Sequence, residues 1–65
     1  MDKIGQALML CVDTLGYEHE GVIMIDESEN DDSIKAGLKK CIASLEEQNK
    51  TAVVSQIKEL TKGWM

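Results

Sequence analysis

The chain has 65 residues, with seven basic and twelve acidic side chains and a formal net charge of −5 at pH 7. A chain this short folds as one domain, residues 1–65, with one small core. All seven basic residues are lysines, so the arginine fork that pairs with phosphates and base edges is absent. The longest apolar runs, residues 7–12 and 22–25, are far shorter than the ~20 residues that span a bilayer. Composition therefore disfavours direct nucleic-acid binding and membrane insertion.

Charge is unevenly distributed along the chain. Residues 1–32 hold nine acidic side chains and one lysine, a sum of −8, whereas residues 33–65 hold six lysines and three glutamates, a sum of +3. Complementary charge steers encounters between proteins and fixes their register. We therefore expect the partner of the acidic half to be a protein with a basic surface.

Residues 2–16 are predicted to form the first helix, because apolar residues recur there at steps of three and four. Asp2 is a suitable N-cap, and Gly16 suits the left-handed position just past a helix end. The apolar stripe is widened by Ala7, Met9, Leu10 and Val12 until the middle of the helix is apolar around most of its circumference. Their position predicts a helix that is central in the fold or covered by another chain.

The segment from Tyr17 to Asp32 is acidic and contains the apolar run Val22–Ile25. The run is short, rich in β-branched residues and bounded by turn formers, which is typical of a strand or of a buried loop anchor. Periodicity does not separate these from a helix, and we favour an extended segment. An isolated strand would need a partner strand, and the chain offers no second candidate.

Two further helices are predicted at residues 32–48 and 51–62 from the same apolar spacing. Asn30, Asp31 and Asp32 compete for the N-cap of the first of these, and Thr51 is the expected N-cap of the second. Gly63 should end the last helix and let Trp64 fold back on its final turn. The predicted fold is mostly α, a small three-helix domain with an acidic loop or short extended segment between helices 1 and 2.

Cys11 and Cys41 each fall on an apolar helix stripe and are expected to be buried, reduced thiols. No segment before the first predicted helix resembles a secretory signal peptide, so we expect a cytoplasmic protein. Together with His19 the two cysteines do not make up the four ligands of a structural zinc site. We expect no metal and no cofactor.

The acidic stretch after Ile25 shows a partial match to a calcium-binding loop. Positions one, three, five and seven of the loop pattern are Asp26, Ser28, Asn30 and Asp32. Position six should be glycine and is Asp31, and position twelve should be glutamate and is Gly37. We interpret the stretch as a solvated acidic loop.

The tripeptide Asp32-Ser33-Ile34 resembles the Asp-Ser-Leu signature of acyl carrier proteins. The resemblance covers three residues and implies a small acidic helical domain in which Ser33 carries phosphopantetheine. The chain departs from the family, whose following helix is typically acidic, and it lacks the usual preceding glycine. The residues that differ are Lys35, Lys39 and Lys40. Helix capping accounts for the same tripeptide.

The sequence offers no serine–histidine pair with an orienting acid and no phosphate-binding glycine loop, so we do not expect an enzyme. The favoured function is a protein-binding module, such as an adaptor, regulator or stoichiometric inhibitor. It would dock residues 18–32 on a basic site of a larger protein, and a nucleic-acid-binding protein is one candidate for that partner. The docking residues are Glu18, Glu20, Asp26, Glu27, Glu29, Asp31 and Asp32.

Two alternatives remain open. The first is a homo-oligomeric assembly protein, for instance a homodimer, that buries its excess apolar residues between copies. Those residues are Met9, Leu10, Val22, Ile23, Met24 and Ile25. The second is an acyl-carrier-like protein that uses Ser33.

Overall fold

The computed structural model describes residues 2–63, which form four α-helices and contain no strand. The helices are α1 (Lys3–Leu15), α2 (Glu20–Asp26), α3 (Asp31–Glu47) and α4 (Thr51–Leu60). The three predicted helices correspond to α1, α3 and α4, with ends within two residues of the prediction. None of the four helices combines the length and apolar character that a membrane crossing requires.

Helix α2 corrects the prediction of an acidic loop or extended segment between the first two helices. Val22 and Ile25, three residues apart, both face the core, whereas a strand would place Val22 and Met24 on the same face. The backbone hydrogen bonds of a helix run along the segment, as from Ile23 N–H to the His19 carbonyl at 3.0 Å and from Glu27 N–H to the Ile23 carbonyl at 2.9 Å, so the run needs no partner strand. The apolar run was too short for periodicity to reveal the helix.

Side chains and glycines define the helix ends. The Gly5 N–H donates to Asp2 Oδ1 at 2.7 Å, and Gly16 adopts φ +87°, which confirms both predicted ends of α1. Among the three candidate caps of α3, Asn30 accepts the Ser33 N–H at 2.9 Å. The first helical residues of α3 are therefore Asp31 and Asp32, one residue earlier than predicted.

The prediction that Thr51 caps the last helix is wrong. Asn49 has φ +60°, and the carbonyl of Lys50 already accepts the Val54 N–H at 3.1 Å. Lys50 is thus the N-cap, and Thr51 lies inside the helix without a side-chain cap bond. After Leu60 the chain reaches Gly63 at φ +84°, and the predicted packing of Trp64 concerns a residue outside the described range.

The core is one cluster to which every helix contributes. Its members are Ala7, Cys11, Val22, Ile25, Leu38, Cys41, Leu45, Val54 and Ile57. Helix α2 packs most extensively on α3, and α4 packs on α1 and α3. No Cα atom of α2 lies within 8 Å of a Cα atom of α4, although both helices contribute side chains to the core. The outer faces of α2 and α4 are therefore different surfaces of the molecule.

Candidate protein-binding surfaces

The outward face of α2 presents an apolar side chain between carboxylates. Val22 and Ile25 point into the core, so Glu20, Ile23 and Glu27, at steps of three and four, point to solvent. Ile23 is 42% exposed and is, with Met9 and Tyr17, one of the exposed large apolar side chains among the described residues. Below, the acidic face means Ile23 together with the seven predicted docking residues around α2, which are Glu18, Glu20, Asp26, Glu27, Glu29, Asp31 and Asp32.

All seven predicted docking residues are exposed, and they group at the two ends of α2. Glu18 and Glu20 lie at its start, and the other five lie at its end, in the connection to α3 and in the first turn of α3: Asp26, Glu27, Glu29, Asp31 and Asp32. At 1.5 Å per residue, the ends of this helix are about 9 Å apart along the axis. The structure thus brings the acidic residues to two clusters with Ile23 between them.

Some of these carboxylates also stabilise the fold. Glu20 lies in the first turn of α2, and Asp31 and Asp32 lie in the first turn of α3, where negative charge complements the helix dipole. Glu20 Oε1 is 3.4 Å from Lys40 Nζ, an exposed ion pair. The other six form no ion pair within residues 2–63. Glu18, Asp26, Glu27 and Glu29 have neither structural role and are the best candidates for partner contacts.

His19 and Ser44 form a hydrogen-bonded pair that the sequence did not predict. The Gly21 N–H donates to His19 Nδ1 at 3.0 Å, so Nδ1 carries the lone pair and Nε2 carries the proton. Nε2 therefore donates to Ser44 Oγ at 2.7 Å. A histidine that activates serine needs the opposite tautomer, with a lone pair facing the hydroxyl. The pair caps α2 and ties it to α3, and this tautomer does not activate Ser44 as a nucleophile.

A second surface is an apolar groove of about 500 Å³ between α1 and α4. Apolar side chains line it, namely Met9 and Leu10 from α1 and Leu60 from α4. Met9 is 45% exposed. The polar residues that line the groove are Gln6, Asp13, Gln56 and Glu59. Of the apolar residues that line the groove, the sequence analysis identified only Met9 and Leu10 as interface candidates. Leu60 was missed because its place in the groove depends on how α4 packs against α1.

The six residues predicted to be buried between copies do not form one surface. Val22 and Ile25 belong to the chain's own core and are not available to another chain in this fold. Ile23 is exposed on α2 and Met24 is half-buried there, whereas Met9 and Leu10 line the groove on the α1–α4 side. The larger apolar interface expected from sequence is therefore divided into two smaller surfaces.

The two cysteines are buried free thiols, as predicted, and they meet in the core. The hydrogen bond to Cys41, together with burial, raises the pKa of the Cys11 thiol. The same hydrogen bond lowers the pKa of Cys41, against the effect of its burial. Cys11 therefore keeps its thiol proton to a higher pH than an ordinary cysteine does. Among residues 2–63, no group of three His, Cys, Asp or Glu side chains is arranged to hold a metal ion.

Ser33, the residue of the carrier-protein resemblance, lies in the first turn of α3 and is half-buried. Its backbone N–H is satisfied by the Asn30 cap. It borders a shallow cleft of about 370 Å³, with Met24 and Glu27 among the other lining residues. Capping explains the position of Ser33 without a prosthetic group.

No family model, curated protein or solved structure matches the chain. By its described residues the protein is a small four-helix domain with an acidic face on α2 and an apolar groove between α1 and α4.

Proposed function

We propose that this protein is a small binding module that docks its acidic face on a basic site of a larger protein. The observation that carries the proposal is Ile23, an exposed apolar side chain between two groups of carboxylates. Adaptors, regulators and stoichiometric inhibitors all fit this description. We place the interaction in the cytoplasm, where reduced thiols such as Cys11 and Cys41 persist.

In the proposed mechanism, charge governs association with the partner and burial of apolar surface governs dissociation. Carboxylates at both ends of α2 attract a basic partner and set its orientation, which mainly affects the association rate. Burial of Ile23 removes apolar surface from water and slows dissociation, as central apolar anchors do in other interfaces. A partner whose basic site normally binds nucleic acid would meet carboxylates where phosphates lie.

The test is an affinity isolation with matched charge variants. Glu27→Gln/Glu29→Gln removes two carboxylates from the acidic face, and Glu46→Gln/Glu47→Gln removes two exposed carboxylates at the end of α3. The control also removes the exposed ion pair between Glu46 Oε2 and Lys58 Nζ, which are 4.0 Å apart. We expect the first variant to lose most of the basic proteins recovered by the parent chain, and the second to retain them. Equal recovery by all three chains, quantified by mass spectrometry, would rule out docking through the acidic face.

A second candidate function is self-assembly, in which copies bury Met9 and Leu10 against each other. The exposure of Met9 beside an apolar groove favours it. Light scattering behind size exclusion, with reductant and over a wide concentration range, separates the two functions. A dimer that persists on dilution, and that Met9→Lys dissociates, would support self-assembly, whereas a monomer at every concentration would oppose it.

A further inference from the structure

We propose that the groove between α1 and α4 is a second binding site, which accepts an amphipathic helix with basic flanks from another protein. The groove is open to solvent and has about 500 Å³ of space. Two helices form its walls, and apolar side chains line both of them: Met9 and Leu10 on one, Leu60 on the other. An apolar helix face laid into a groove between two helices is a common mode of peptide recognition.

The charges around the groove select the flanks of the bound helix. Asp13 lies on the α1 wall and Glu59 on the α4 wall, and both are exposed. Neither forms an ion pair within the described residues, and no lysine lines the groove. Lysine or arginine residues beside the apolar stripe of a bound helix would therefore find a carboxylate on each side.

The same charges disfavour a second copy of this chain as the occupant. A two-fold contact through the groove brings the same patch of both copies together, so the carboxylates of Asp13 and Glu59 in one copy would face a patch that holds, among its described residues, the same carboxylates and no lysine. Like charges in an interface oppose association. The net charge of −5 adds to this repulsion.

The groove is independent of the acidic face. Among the described residues, those that line it belong to α1 and α4, and none of them belongs to the acidic face. Exposed residues of one surface can therefore be substituted without changing the residues of the other, and the two binding proposals can fail separately.

The probe is a fluorescent, designed 18-residue helix with leucines on one face and lysines flanking them. A scrambled peptide of the same composition, whose leucines do not share a helical face, controls for charge alone. We expect the amphipathic probe to bind at least about tenfold more tightly than the scrambled one. In amide NMR spectra the probe should shift α1 and α4 signals near Met9 and Leu60.

Met9→Ser removes an apolar groove residue without changing charge, and Ile23→Ser does the same on α2. We expect at least about tenfold weaker probe binding for Met9→Ser and less than about twofold change for Ile23→Ser. Asp13→Asn/Glu59→Gln should weaken binding and reduce its salt dependence more than Glu46→Gln/Glu47→Gln. Circular dichroism confirms that each variant is folded.

Four outcomes would overturn the proposal. The first is that Met9→Ser and Ile23→Ser weaken probe binding equally, and the second is that the probe shifts amide signals of α2 only. The third is that the scrambled peptide binds as tightly as the amphipathic probe, and the fourth is that the groove is already occupied in the free protein. The last is detected as a concentration-independent dimer or as nuclear Overhauser contacts between Met9 and the indole of Trp64 in the free protein.

Discussion

Gly21 of α2 and Gly37 of α3 face each other at a point where the two backbones nearly touch. A Cβ atom on Gly21 would lie 2.7 Å from the Gly37 carbonyl oxygen and 2.8 Å from Cys41 Sγ. A Cβ atom on Gly37 would lie 2.7 Å from Ile25 Cγ1 and 2.8 Å from the Gly21 carbonyl oxygen. The absence of both side chains lets α2, a helix of only seven residues, bury Val22 and Ile25 against the longest helix.

Gly21→Ala is expected to destabilise the protein because the added methyl group meets backbone, which cannot move aside as a flexible side chain can. We expect a loss of about 1–3 kcal/mol in the free energy of unfolding, less whatever alanine's better helix propensity restores. Urea unfolding followed by circular dichroism measures it. Ser55→Ala, at an exposed position within α4, is the control and should change stability by less than about 0.5 kcal/mol. A Gly21→Ala protein as stable as the parent would contradict the close approach.

His19 is expected to stabilise the start of α2 through the lone pair on Nδ1. His19→Ala removes this cap and the Ser44 bond, and should cost about 1–2 kcal/mol. His19→Asn keeps a capping oxygen and should recover part of the loss, whereas Ser44→Ala removes only the bond to Nε2. Chemical unfolding of the three variants gives the order of stability.

The tautomer of His19 is a separate observable. Imidazole ¹⁵N shifts of the neutral ring should identify Nε2 as the protonated nitrogen, because Nδ1 accepts the Gly21 N–H. A ring protonated at Nδ1 would mean that His19 does not cap α2.

Stability is expected to fall with pH above the ordinary thiol pKa of 9.0. The unfolded chain then loses both thiol protons, whereas the folded core retains the proton of Cys11, whose pKa is raised. The folded state therefore binds more protons, so the unfolding free energy decreases as pH rises, by up to about 1.4 kcal/mol per pH unit. Below that pH the lowered pKa of Cys41 acts in the opposite direction.

Urea unfolding at intervals from pH 7 to pH 10 tests this dependence. The variant Cys11→Ala/Cys41→Ala retains the lysine titrations and lacks both thiols, so the difference between the two curves isolates the cysteines. Parallel curves above pH 9 would show that the thiols titrate alike in the folded and unfolded chain.

Ser33 is expected to remain unmodified when the protein is incubated with coenzyme A and a broad-specificity phosphopantetheinyl transferase. The Asn30 cap accounts for the local structure, and lysines follow where carrier proteins are acidic. Intact-mass measurement of the parent and of Ser33→Ala gives the answer. A phosphopantetheine increment on the parent alone would establish the carrier function instead.

Apolar spacing predicted α1, α3 and α4 because these helices are long enough to show their period several times, and capping residues predicted the ends of α1. The four-residue run Val22–Ile25 shows about one turn, too little to separate a helix from a strand. What makes it helical is non-local: Gly37 of α3 leaves room for Gly21, and Ser44 of α3 holds His19. Both partners lie at least 16 residues further along the chain, beyond the reach of local pattern.

Of the candidate surfaces, too, one part could be predicted from the sequence and the other depended on tertiary packing. Charge is a property of composition, so the sequence alone identified the seven acidic residues that lie exposed around α2. An apolar residue can be buried by any helix that packs on it, and the sequence does not say which side each helix covers. Tertiary packing placed Val22 and Ile25 in the core and left Ile23 exposed, and the packing of α1 on α4 formed the groove at Met9 and Leu10.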